Sequence, residues 1–176
     1  MDYSSLTYPL DSTVKLKAKE GEALKDPIYY RKLVGKLNFL TNTRLDIAYN
    51  MQHLSQFMDD LGEAHLRAVF HLLRYLKSDP ILGLFISHDT DYTIKANCDS
   101  DWAACPDSRK SVNGYLVLLG TSPITWKSKK QDTISLSSAE AEYRDLRKVV
   151  GELVWLSRLF EEITIPFPKH ITVCVP

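Results

Sequence analysis

The sequence predicts an α/β protein in which a helical segment precedes an α/β unit of short strands with one long helix. Three observations carry that expectation. From Asp26-Pro27 to about Lys77, apolar residues recur three and four apart, the spacing of helices buried along one face. After Pro80 the apolar runs shorten, turn β-branched or aromatic and are divided by turn residues, the pattern of strands. From Ser138 to Ile163 the helical period returns unbroken.

Composition sets the outer bounds. The 176 residues are 44% hydrophobic and 25% charged, which is globular and not disordered. Lys plus Arg is 22 and Asp plus Glu is 22, so no strongly basic or acidic module is announced. No apolar run is long enough for a membrane span, and the N-terminus lacks a basic-then-apolar leader. Three cysteines, Cys98, Cys105 and Cys174, without CxxC spacing fit a reduced, intracellular chain of open compartment.

Residues 1–26 are polar and punctuated by Pro9 and Gly21, and are expected as an extended lead-in outside the core. Residues 27–80 form the helical segment. Asp26 caps the first helix and Pro27 opens it, with Tyr30, Leu33, Val34, Leu37 and Leu40 facing inward. A second helix is expected over about 45–58 on Ile47, Met51, Leu54 and Met58. A third covers about 63–77 on Leu66, Val69, Phe70, Leu73 and Leu76, and Asp79-Pro80 ends it. Residues 81–176 form the α/β part. Its strands are expected over 82–87, 92–99, 114–119, 124–127 and 133–136, then the helix 138–163 and a last strand 171–175.

Two carboxylates sit oddly in this scheme. Traced back from Phe160 through Leu156, Leu153, Val149 and Leu146, the apolar stripe of the long helix reaches Glu142. An acid on such a stripe is costly to bury unless a metal or a proton compensates, although an acid in a first turn also suits the helix dipole. Glu140 is explained by a capping box begun by Ser137. The other oddity is Asp99-Ser100-Asp101-Trp102 at a strand end. Acids at i and i+2 share a face and repel, which a divalent cation would relieve; a plain strand end running into an Asp-rich turn is the alternative.

These segments carry a resemblance. Cys98-Asp99-Ser100-Asp101-Trp102-Ala103, Arg109-Lys110-Ser111-Val112-Asn113-Gly114-Tyr115, Thr125-Trp126-Lys127-Ser128-Lys129-Lys130-Gln131 and Ser137-Ser138-Ala139-Glu140-Ala141-Glu142-Tyr143 occur in that order. Together they resemble the ribonuclease H region of Ty1/copia retrotransposon Pol polyproteins. Upstream, Tyr30 to Leu37, Thr43 to Ala48, Leu54 to Met58 and Leu73 to Lys77 resemble the reverse-transcriptase thumb or connection segment. The resemblance implies a five-stranded mixed sheet that cuts RNA in RNA–DNA hybrids with two Mg2+ ions, Mn2+ being able to substitute. It places catalytic, metal-binding acids at Asp99 and Glu142, with Asp101 a weaker neighbour. It offers Arg109, Lys110, Lys127, Lys129 and Lys130 as phosphate contacts, and Trp102 and Trp126 as packing residues more than base-stacking ones. The implied partners are nucleic acid and the rest of a Pol polyprotein, in the cytoplasm or nucleus.

Departures from the family pattern temper the activity expected. Where the family has its third aspartate, in Cys-Asp-Asn, this chain has Cys174-Val175. The fourth acid and the closing elements are not in the sequence, nor is a Tyr-x-Asp-Asp pair. The expectation is a truncated ribonuclease H-like fragment, catalytically incomplete as this chain alone. A non-catalytic nucleic-acid-binding or interaction module and an unselected genomic remnant are the alternatives.

Overall fold

A computed structural model describes residues 6–10, 16–18, 21–88, 90–165, 167 and 170–175. The chain divides into two compact units, Met1–Gly83 and Leu84–Pro176.

The first unit is helical. α1 spans Pro27–Leu40, and the Asp26 carboxylate accepts from the Tyr29 N–H at 2.9 Å, so the expected cap forms. The second expected helix is broken: a 3-10 turn at Leu45–Ile47, a seven-residue α2 at Ala48–Leu54, and another 3-10 turn at Ser55–Phe57. None of these three pieces has a side-chain cap, and the tighter turns bring Ile47, Met51, Leu54 and Phe57 all into the core. α3 spans Glu63–Ser78. Tyr30 is fully buried, and its hydroxyl donates to the Leu54 carbonyl at 3.0 Å. The lead-in departs from expectation, because Leu16 and Leu24 are buried in this core. The Leu24 N–H donates to Leu61 and the Glu63 N–H to Glu22, so the stretch before α1 is tied across the start of α3.

The second unit is a four-stranded sheet, among the described residues, in the order β3-β2-β1-β4. β1 (Ile94–Asp101) pairs antiparallel with β2 (Val112–Leu119), which pairs antiparallel with β3 (Ser122–Lys130). The short β4 (Thr172–Cys174) lies parallel to β1, reached through α4 (Ser138–Glu162). The turn from β2 to β3 depends on Gly120 at φ 58°, where a Cβ would lie 2.6 Å from the Asp91 carbonyl oxygen. Ile94, Ala96 and Cys98 of β1 and Val117 of β2 pack against Val149, Leu153, Leu156 and Phe160 of α4.

Two expected strands do not form. Residues 82–87 have no ladder partner; the Ser87 N–H donates to the Ser122 hydroxyl, and Phe85 and Ile86 stay exposed. Residues 133–136 spend their backbone on side chains instead. The Ser135 carbonyl accepts from the Trp102 indole, and the Leu136 N–H donates to the Glu140 carboxylate.

Candidate functional site

Strand β1 alternates strictly. Ile94, Ala96, Cys98 and Ser100 are buried, whereas Lys95, Asn97, Asp99 and Asp101 are exposed. Because successive side chains point to opposite faces, Asp99 and Asp101 share one face, the one turned away from α4. The loop that follows is held tightly. Ala103 and Arg109 both adopt left-handed backbone, at φ 54° and 55°. The Ser111 hydroxyl accepts from the Ala103 N–H, while Cys105 exchanges backbone bonds with Arg109 and Lys110. Trp102 donates its indole N–H to the Ser135 carbonyl at 3.0 Å, a packing role that leaves the ring half-exposed.

The start of α4 is fixed by the capping box read from sequence. The Ser137 hydroxyl accepts from the Glu140 N–H at 3.1 Å, and the Glu140 carboxylate accepts from Leu136 and pairs with Arg144. Those bonds hold the Glu140 carboxyl below its ordinary range. Glu142 is half-buried, at the border of the buried stripe. The acid at the centre of the stripe is Asp145, 1% exposed, with Ala141 one turn before it. Sequence reasoning missed it for a definite reason. From Val149 the helical period permits a step of three to Leu146 or of four to Asp145, and the apolar residue was the natural choice. The structure follows the step of four. Burial, with Asp99 adding to it, pushes the Asp145 carboxyl up to about 7; Lys148 and the backbone amides of Asp99 and Gly114 pull the other way.

A buried polar network borders this region. Gln131 donates from Nε2 to Asn113 Oδ1, Ser100 Oγ and the Ala141 carbonyl, and its Oε1 accepts from Ser135. Gln131 therefore ties the end of β3 to β1, β2 and the first turn of α4, and it sets how the helix begins over the sheet.

The five candidate cations separate by face. Tyr115 lies opposite Lys127 and Asn113 opposite Lys129, so these two lysines project on the α4 side. Lys130 falls on the other side and donates to the Cys105 sulfur at 3.5 Å. Arg109 and Lys110 belong to the loop after β1, Arg109 exposed and Lys110 half-buried. The structure thus brings Asp99 and Asp101 together, but sets Glu142 on the helix that covers the opposite face. Among the described residues no three His, Cys, Asp or Glu side chains converge as a metal centre. Asp99 and Asp101 could supply carboxylate oxygens to one hydrated Mg2+, which needs only one or two carboxylates; a two-ion centre would need more acids than these.

Comparison with known proteins sets this arrangement in context. The chain is 42% identical over 91% of its length to the retrovirus-related Pol polyprotein from transposon RE1 of Arabidopsis thaliana. It is 40% identical over 89% to that from transposon RE2 of the same plant. An uncharacterized mitochondrial protein of Arabidopsis thaliana is 37% identical over 89% of this chain and 65% of its own length. The chain belongs to the retrovirus-related Pol polyproteins of Ty1/copia-type transposons. It spans 11% of the length of the RE1 and RE2 polyproteins. No family model and no solved structure matches it. No helix among the described residues is long and apolar enough to cross a membrane.

Proposed function

We propose that residues 84–176 are a ribonuclease H-like module of a Pol polyprotein, built to engage RNA–DNA hybrids and catalytically incomplete as this chain alone. The supporting observation is the position of Asp99. It is exposed near the end of β1, an inner strand between an antiparallel neighbour and a parallel one, where the family motif would put the first catalytic acid. A single Mg2+ held there would act as a Lewis acid on a phosphoryl oxygen, short of the two-ion clamp on attacking and leaving oxygens. The residues themselves do less. Asp99 and Asp101 present carboxylate oxygens to the open face, and Glu142 meets them only if α4 or β1 shifts. The third-acid position is the apolar Val175, just past the last registered pair, Asn97 with Cys174. Hybrid binding would draw on Arg109, Lys110 and Lys130 near the acids, with the remainder of the polyprotein as the natural partner.

The test is cleavage of a labelled RNA–DNA hybrid in Mg2+ and in Mn2+, with Asp99→Asn in parallel. The expected result is no cleavage above that of the variant. Metal-dependent cleavage that Asp99→Asn abolishes would overturn the incompleteness and keep the assignment. Equal affinity for hybrid, duplex DNA and single strands would remove the assignment itself. A second reading, binding without cutting, is favoured by one observation: Lys127 and Lys129 project from the face opposite Asp99.

A further inference from the structure

Between α4 and the β2–β3 hairpin lies a pocket of about 330 Å3, on the face of the sheet away from the Asp99 side chain. Two of its lining side chains are buried with unmet hydrogen-bonding capacity. Neither carboxylate oxygen of Asp145 accepts a hydrogen bond of good geometry, the nearby backbone amides of Asp99 and Gly114 notwithstanding, and the Nδ2 of Asn113, 3% exposed, has no acceptor. The Asn113 orientation is not arbitrary, since its Oδ1 is occupied by Gln131 and Ser100. The amide N–H2 is therefore held toward an acceptor that the protein does not provide. Buried polar groups in native proteins are nearly always paired, so two orphans lining one pocket call for a ligand that completes both.

The walls and rim restrict that ligand further. Tyr115 supplies an aromatic wall. At the rim, Lys129 and Lys148 both reach Asp132, at 3.9 and 4.0 Å, and Glu152 accepts from the Thr125 hydroxyl. Lys127 has no ion-pair partner among the described residues, so its charge is available to an anion. A planar group with a donor and an acceptor on one edge, an aromatic face and a phosphate matches these features in turn. We propose that this pocket binds a nucleotide base-first: the base edge pairs with Asn113 Nδ2 and Asp145, the ring lies along Tyr115, and the phosphate meets Lys127. The volume is at the small end of ligand pockets, of the order of 300 Å3, which suits a mononucleotide or one unstacked base of a single strand.

Backbone-amide NMR titration of the full 176-residue chain tests this with UMP, AMP, ribose 5-phosphate, an RNA oligonucleotide and the matching RNA–DNA hybrid. The expected result is saturable shifts at Asn113, Tyr115, Asp145 and Lys148 with a nucleotide, and at least tenfold weaker binding of ribose 5-phosphate, which lacks the edge. Lys127→Ala, an exposed change that spares the core, is expected to weaken both ligands. Asp145→Asn is expected to weaken the nucleotide alone. Shifts with the single strand and not with the hybrid assign the source to an unpaired base, and shifts with UMP or AMP alone assign it to free nucleotide; either supports the pocket. Equal affinity for ribose 5-phosphate, no shifts, or shifts confined to the face of Asp99 overturn it. That failure leaves the ribonuclease H-like reading intact, because hybrid cleavage tests the reading through Asp99 on the other face.

Discussion

Burial of the Asp145 carboxyl beneath α4 makes the stability of the second unit depend on pH in a direction opposite to that of a paired acid. Its pKa rises from an ordinary 3.8 to about 7, so the folded state keeps a proton that the unfolded chain releases. Between about pH 4 and pH 7 the folded state therefore loses stability as pH rises, and above about 7 the full penalty is present. A shift of about three units corresponds to roughly 4 kcal/mol between those limits. Lys148 offsets part of that penalty and Asp99 adds to it. Asp145→Asn keeps the shape and removes the charge. In urea melts the parent is expected to lose a few kcal/mol from pH 4 to pH 8, while the variant changes much less and is the more stable of the two at pH 8. Parallel profiles for the two proteins would show that Asp145 is not buried as an acid. The sequence displayed the acid-on-a-stripe anomaly but not which acid bore it. Glu142 and Asp145 are three residues apart, and only the packing of Val149, Leu153 and Leu156 against the sheet fixes the helix phase.

Arg44, between α1 and α2, organises the helical unit through charge where no cap is present. It is 4% exposed and binds both Asp46 oxygens, through Nε at 2.9 Å and Nη2 at 2.8 Å. Its Nη1 donates to the Asp79 carbonyl just past α3, and the Tyr75 hydroxyl donates to Asp46 at 2.7 Å. Burial raises the Asp46 pKa, but the Arg44 and Tyr75 bonds outweigh it and hold the carboxyl below its usual value. One residue pair thus links the α1–α2 turn to both α3 and the chain beyond it. Removing one partner of such a pair costs roughly 3–5 kcal/mol, whereas replacing both with apolar groups is often close to neutral. Asp46→Asn is expected to lower stability by about 3 kcal/mol, toward the bottom of that range because Asp46 is partly exposed. The double change Arg44→Met with Asp46→Leu is expected to cost less than the single one, as chemical denaturation of the three proteins would show. A double variant weaker than the single would mean the network contributes more than a pair. Here the sequence was a partial guide. Thr43-Arg44-Leu45-Asp46 stood out as a motif, but its architectural work depends on Tyr75 and Asp79, some thirty residues away. The bounds of the long helices, set by local periodicity and caps, were legible to within a residue or two, although α3 buries His65, Ala68 and Leu72 beside Val69 and leaves the expected Phe70 outside the core. The strands at 82–87 and 133–136 were not, because a strand exists only where a neighbour accepts its ladder.

The distribution of acids over the whole second unit decides how the protein responds to divalent cations. Asp99 and Asp101 lie on the open face, Glu142 belongs to the helix on the other face, and Val175 stands where the proposed ribonuclease H-like reading would place a third acid. Two exposed carboxylates bind Mg2+ only weakly, and a dissociation constant equal to an added concentration of about 10 mM would leave such a site half-filled. At 10 mM Mg2+ that affinity stabilises the folded state by RT ln 2, roughly 0.4 kcal/mol. For a chain of this length the corresponding rise in Tm is about 1 °C. A preformed centre with about a hundredfold tighter affinity would contribute roughly 2.7 kcal/mol, a rise of several degrees. Thermal melts in EDTA and in 10 mM Mg2+, for the parent and for Asp99→Asn, are therefore expected to differ by little more than a degree. A rise of five degrees or more in the parent, absent from the variant, would mean that Glu142 or another acid joins Asp99 when metal is present. The catalytic incompleteness proposed for this chain would then fail, because the missing ligand would have been supplied from within the 176 residues.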